Sequence, residues 1–209
     1  VEGKATAFQN YGHIFTYQGK YPQALSGYLE ALSYYEKLDK KHPAGWIYAH
    51  IAKTHLLARN FEKAIDYWYL ALKKFRERTD ESVSAGSVRD TSTMFQGLYL
   101  TYQYMGMFEK AIEIALKVLD VGTKNNFDIT ELMIVTFKIG HNYLLVGETD
   151  SAKVYFDKAL AYPDANMDIQ ALKYRPVAWL GNLYARNGEI DTAIVYLKKA
   201  YKWYNKTGF

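Results

Sequence analysis

The chain has 209 residues, of which 49% are hydrophobic and 23% charged, a composition of folded domains that argues against disorder. Its 26 basic and 22 acidic residues leave a formal net charge of +4, and they alternate along the sequence without the basic stripe that a nucleic-acid interface would need. Cysteine is absent, which removes disulfides, thiolate metal ligands and cysteine nucleophiles together.

Four prolines and fourteen glycines are too few for a loop-rich β protein, and the Ala-, Leu-, Lys- and Tyr-rich stretches predict helices throughout. In chain order, a first helix carries Phe8, Tyr11, Gly12 and Phe15, a turn follows at Gly19, and a second helix opens on Tyr21-Pro22-Gln23-Ala24 and continues through Tyr28 and Ala31. The pattern then returns four times. Tyr48, Ile51, Ala52 and His55 precede Phe61-Glu62-Lys63-Ala64, Trp68 and Ala71, with Asn60 close to the turn position. Phe95, Leu98, Tyr99 and Tyr102 precede Gly106, Ala111, Ala115 and Val118; Thr136, Ile139, Gly140 and Tyr143 precede Gly147, Ala152, Phe156 and Ala159; Val177, Leu180, Gly181 and Tyr184 precede Gly188, Ala193, Leu197 and Ala200.

Spacings of three and four make one apolar stripe per helix, with a small residue where a neighbouring backbone comes close. Glycine or asparagine between the helices supplies the left-handed backbone that lets the chain reverse. The opening alanines of the second helices lie 40 to 47 residues apart, yet Phe8 to Ala31 and Val177 to Ala200 are both intervals of 23. All additional length therefore follows that last alanine-type position, lengthening the second helix or its following loop, and Thr79 to Asp90, with Ser82, Ser84, Gly86 and Ser87, reads as the longest such insertion and as a loop. Pro43 is expected ahead of the second hairpin, with Pro163 and Pro176 flanking the fifth.

Over roughly residues 5 to 206 this pattern resembles the tetratricopeptide repeat family, in a long-period variant, through Gly12, Phe15, Gly19, Ala24, Tyr28 and Ala31 and their equivalents in the later copies. The resemblance implies an all-α fold, a right-handed α-α superhelix (solenoid) of about five helical hairpins, with repeats near 5–41, 45–79, 92–124, 133–164 and 174–206 in a single domain. It also implies a non-enzymatic scaffold that binds a protein or peptide in a concave groove lined by the first helices. An alternative is a ligand-sensing regulatory segment of a larger signalling or transcription-regulatory protein. The opening on Val1 makes an excerpt of a longer chain the expected reading.

Carrying over the inward positions of that family places Asn10, His13 and Tyr17, then His50 and Lys53, Gln96 and Gln103, Lys138 and His141, and finally Arg175, Asn182 and Arg186 along the groove, with Gln9, Trp46, Tyr104, Phe137 and Trp179 beside them. None is acidic, which suits an acidic or carboxylate-bearing peptide; crowded first helices that simply carry few acids would give the same depletion. Chaperone-tail-binding members of the family place Lys and Asn four apart on one first helix. Here the equivalent pairs are Gln9/His13, Ala49/Lys53, Gln96/Leu100, Phe137/His141 and Ala178/Asn182, which disfavours that partner.

The sequence has no Gly-rich phosphate loop, nucleophile elbow or His-Glu-x-x-His motif, so no catalytic residue and no cofactor are expected. The histidines are His13, His42, His50, His55 and His141; no two have the i, i+4 spacing that would set two ligands on one helix face, and His55 is expected in the core. Tyr11, Tyr28, Tyr48, Tyr102, Tyr143 and Tyr184 fall at core positions, whereas Tyr34, Tyr35, Tyr69, Tyr201 and Tyr204 have no assigned role. Apolar runs stop well short of the roughly 18 residues of a membrane span. The compartment stays open, a cytoplasmic location being preferred to a periplasmic one, and so does the oligomeric state.

Overall fold

In the computed structural model, residues 1–77, 85–163 and 172–207 are described. They form ten helices and no strand: α1 Glu2–Tyr17, α2 Tyr21–Lys37, α3 Lys41–Leu57, α4 Phe61–Arg76, α5 Ala85–Tyr104, α6 Phe108–Lys124, α7 Ile129–Leu145, α8 Thr149–Ala161, α9 Tyr174–Arg186 and α10 Ile190–Thr207. The chain is all-α, and α1 with α2, α3 with α4, α7 with α8 and α9 with α10 form pairs as expected.

The reversals share one device. Gly19, Gly106, Gly147 and Gly188 adopt φ of 70°, 73°, 88° and 80°, and the amide after each closes the helix by donating to a carbonyl five residues back: Lys20 to Phe15, Met107 to Tyr102, Glu148 to Tyr143 and Glu189 to Tyr184, all at 2.9 Å. The left-handed residue lets two amides turn back onto orphan carbonyls of the last turn. Between α3 and α4 the same place belongs to Arg59, with φ of 60°, and not to Asn60 as expected from residue type. The turn length decides the position, since Asn60 N donates to His55 O at 2.9 Å.

Pro22, Pro43 and Pro176 sit in the first turns of α2, α3 and α9, where a missing N–H has no intrahelical carbonyl to lose. Pro43 therefore belongs to the second hairpin instead of preceding it. The expected loop at 79–90 is also shorter. Ala85–Asp90 form the start of α5, because the stripe of Met94, Leu98 and Thr101, all buried completely, anchors a helix whose weak early propensity is overridden. The remainder of that expected loop, up to residue 84, lies outside the described residues.

Two compact units divide the chain, Val1–Met107 and Phe108–Phe209. In the first, α1 pairs with α2, α3 with α4, α3 packs on α2 and α5 on α4. Its core gathers Ala5, Ala24, Tyr28, Ala31, Leu32, Tyr35, Ala44, Ile47 and Ile51. A Cβ on Gly12 would meet the Tyr28 ring at 2.6 Å, and one on Gly27 would lie 2.9 Å from Gly12 N. That closeness lets Tyr28 bury its ring fully, worth about 2 kcal/mol for a side chain of this size. Tyr35 finds a role here: its hydroxyl donates to Gln9 Oε1 at 3.3 Å from a buried ring.

In the second unit α6 packs on α7, α7 pairs with α8, α8 packs on α9 and α9 pairs with α10. Ala152, Phe156, Leu180 and Leu183 form its main cluster. Phe156 presses against Gly140 and Leu197 against Gly181, where an added Cβ would lie 2.9 and 2.8 Å from the neighbouring side chain. Asp128 caps α7, its carboxylate accepting from Thr130 N at 2.8 Å.

Of the six expected core tyrosines, Tyr28 and Tyr102 are buried, Tyr48, Tyr143 and Tyr184 are half-buried and Tyr11 is exposed. Tyr11 is 44% exposed, because it stands on the face that in α3, α5, α7 and α9 packs against the preceding helix. The residues at the same position there, Ile51, Leu98, Ile139 and Leu180, are covered.

Candidate functional site

The first helices run past one another at a repeated contact. In the first unit, His13 of α1 meets His50 of α3 edge to face, with ring centroids 4.4 Å apart; Tyr28 stacks on His50 at 5.5 Å and Trp46 lies 6.3 Å away. In the second unit, His141 of α7 meets Trp179 of α9 in the same edge-on manner at 5.0 Å. Aligned on the turn residues, His13 and His141 occupy one position of the repeat and His50 and Trp179 the one that answers it.

Between α3 and α5 those two positions are Lys53 and Gly97, so no ring bridges the helices. A cavity of about 460 Å³ opens there. Lys53, Leu56, Leu57 and Arg59 form one wall, Phe61 and Trp68 of α4 contribute apolar surface, and Thr93, Gln96, Gly97, Leu100 and Tyr104 of α5 form the other wall. Gly97 is bare for a packing reason. A Cβ on it would lie 2.3 Å from the Trp68 ring, and Trp68 is fixed by burial and by its indole N–H donating to Thr101 Oγ1 at 3.2 Å. Two cations, Lys53 and Arg59, belong to the lining and no carboxylate does. Arg59 holds its place in left-handed backbone, a conformation that the other hairpin turns give to glycine and that costs a long side chain about 1 kcal/mol.

The sequence-predicted groove residues separate by position. His13 and His50 come together as a pair, and Lys53 and Gln96 face the cavity. Asn10 and Tyr17 are exposed and Gln103 is half-buried, all three outside the cavity lining. In the second unit His141 packs on Trp179, while Lys138 and Arg175 border a hollow of about 60 Å³ with Phe137, Leu172 and Pro176, too small for a side chain. Asn182 and Arg186 are exposed on α9. The cavity residues missed from the sequence are chiefly Leu56, Leu57, Arg59, Gly97 and Leu100. Their signal was present in Gly97, which replaces a large or polar residue found at that position in the other four first helices.

Burial sets the electrostatics. It pushes His50 down to about 4, with His13 and Lys53 adding repulsion. His13 is lowered by burial and then by Lys53; burial also lowers His141 and the Lys138 ammonium. His55 is buried as expected, stacked on Tyr67 at 5.4 Å, and its pKa is lowered by desolvation and Lys63. Among the described residues no three His, Asp or Glu side chains gather as metal ligands, and no helix is long and apolar enough to cross a membrane.

Two tetratricopeptide repeat models match the sequence, one over residues 4–77 and one over 174–207, together more than half of the chain. The chain belongs to the tetratricopeptide repeat family. This tetratricopeptide repeat protein has no curated relative that matches it in sequence. Its fold is that of solved repeat structures. The crystal structure of BtubC (BKLC) from P. vanneervenii matches with a TM-score of 0.78 at 21% identity, covering 94% of this chain and 78% of that one. The apo form of RapI matches with a TM-score of 0.84 at 17% identity, covering 97% and 54%. A signal-transduction ATPase with numerous domains and a tetratricopeptide repeat sensor, from Pyrococcus horikoshii, matches with a TM-score of 0.75 at 21% identity, covering 98% and 30%. The chain thus spans about half of RapI and less than a third of the ATPase.

Proposed function

We propose that this repeat protein is a non-enzymatic module that binds an acidic protein segment or peptide, and that the cavity between α3 and α5 is its main point of contact. Repeats of this family are protein-interaction scaffolds, and the observation that carries the more specific reading is the cavity itself. Its volume of about 460 Å³ falls within the range of about 300–1,000 Å³ typical of ligand sites. Apolar walls supply the burial energy, and Lys53 with Arg59 supplies a charge preference. Arg59 strengthens the case, because a cation kept in strained backbone beside a cavity points to a role beyond the turn. The face carrying Lys138, His141, Arg175, Asn182 and Arg186 is a second contact surface in this reading.

Selection of peptides from a random displayed library against the wild-type chain tests the proposal. Enriched peptides rich in Asp and Glu, whose binding is lost in Lys53→Glu with Arg59→Glu while helix content is unchanged, support it. Enrichment of neutral or basic peptides, or binding indifferent to those substitutions, removes it.

A second reading is a ligand-sensing segment of a larger regulatory protein. What supports it is the company of similar folds: RapI, a Rap protein complexed with Competence and Sporulation Factor, and the sensor of the signal-transduction ATPase, in each of which this chain corresponds to a part. If that reading holds, the peptide that binds the cavity is the signal rather than a tether.

A further inference from the structure

We infer that the cavity between α3 and α5 is a socket for an aromatic side chain of the bound peptide, one that carries a carboxylate close by in its sequence. This deepens the peptide-binding proposal and rests on it. The argument comes from the two contacts that resemble this one. Where α3 passes α1, the ring of His50 fills the gap and stands edge-on against His13 at 4.4 Å. Where α9 passes α7, the ring of Trp179 does so against His141 at 5.0 Å. Where α5 passes α3, the answering residue is Gly97 and the gap is open. At this third contact the Trp68 indole covers Gly97, and the cavity that opens beside it leaves room for a ring supplied from outside.

The walls fit a ring better than a branched aliphatic chain. Trp68, buried and held by its hydrogen bond to Thr101, contributes part of its ring to the wall, and aromatic pairs in edge-on as well as offset geometry gain about 0.5–1.5 kcal/mol beyond the area they bury. Lys53 takes the position held by His13 and His141 at the other contacts, so a cation stands where those rings meet their partners, and a cation against an aromatic face adds about 0.5–2 kcal/mol. Arg59 closes the same wall. Its planar guanidinium can pair a carboxylate through two parallel hydrogen bonds, which is why an acidic neighbour is placed beside the aromatic residue. Leu57 and Leu100 are 46% and 38% exposed at the rim, apolar surface that an inserted ring would cover.

Capped pentapeptides with a central Trp, Tyr, cyclohexylalanine or Leu, and a Glu moved through the other positions, test the inference on the whole chain. Affinity is read by titration and location by the Trp68 indole N–H resonance. The Trp and Tyr peptides are expected to bind about ten-fold tighter than the cyclohexylalanine and Leu peptides, to shift the Trp68 resonance, and to lose this preference in Lys53→Met. Thr93→Trp, which places a ring at the rim of the cavity, should block them without loss of helix content; Leu100→Glu serves the same purpose should Thr93→Trp fail to fold. Equal affinity for ring and aliphatic peptides, or an unmoved Trp68 resonance, overturns the socket. Acidic peptides that still respond to Lys53→Glu in that case leave the peptide-binding proposal standing. Failure of every peptide to bind removes both.

Discussion

The rings of His13 and His50 meet edge to face with centroids 4.4 Å apart, and His13 Nε2 is buried without a hydrogen-bond partner. Both rings are therefore held neutral. Because His50 is lowered from 6.5 to about 4, the unfolded chain binds a proton at higher pH than the folded one. Stability is complete above about pH 6.5 and is lost as pH falls toward 4. His50 alone accounts for a loss on the order of 3 kcal/mol at most, at 1.36 kcal/mol per pH unit, and His13 shares in the same titration. Denaturant unfolding at pH 7.5 and pH 4.5 should show this loss, and His50→Phe, which keeps a ring in place, should reduce it. An unchanged pH dependence in that variant would place the sensitivity at His13, His55 or His141.

Gly97→Ala should destabilise the chain by about 1–3 kcal/mol, since the new methyl meets the Trp68 ring at 2.3 Å and a buried ring has little room to move. Gly3 in α1 is the control. A Cβ there has nothing within 4 Å, so Gly3→Ala should be neutral or stabilising by up to about 0.5 kcal/mol. Thermal melts of the two variants separate steric conflict from helix propensity.

Arg59→Gly should act on stability and binding with opposite signs. Glycine relieves the left-handed backbone at φ of 60°, a gain of about 0.5–1 kcal/mol, while acidic peptides should bind more weakly for want of the guanidinium. A variant both more stable and equally tight would show that Arg59 only ends its helix.

Asp128→Ala removes the side-chain acceptor of Thr130 N at 2.8 Å and should cost about 1 kcal/mol. The loss should appear as earlier amide exchange at the start of α7.

Most of the fold was legible from residues that repeat. Gly19, Gly106, Gly147 and Gly188 announced their turns because only glycine takes that backbone freely, and Ala24, Ala64, Ala111, Ala152 and Ala193 announced the close contacts of the second helices. Arg59 was illegible for the opposite reason: nothing in an arginine side chain advertises left-handed backbone. The candidate site was harder to read because it is made by what two helices fail to do. His13 and His50 are 37 positions apart, so a search for spacing on one helix could not pair them, and the cavity at Gly97 follows from the size of Trp68 on a different helix.

The fit of Trp68 to Gly97 has a consequence for descent as well as for packing. A lineage cannot close this cavity by placing a ring at position 97 in one step, because any side chain there first collides with the indole. It would need a smaller residue at Trp68 beforehand, and that intermediate would carry a void in the core. The cavity is thus guarded against loss at that position by the instability of the path away from it.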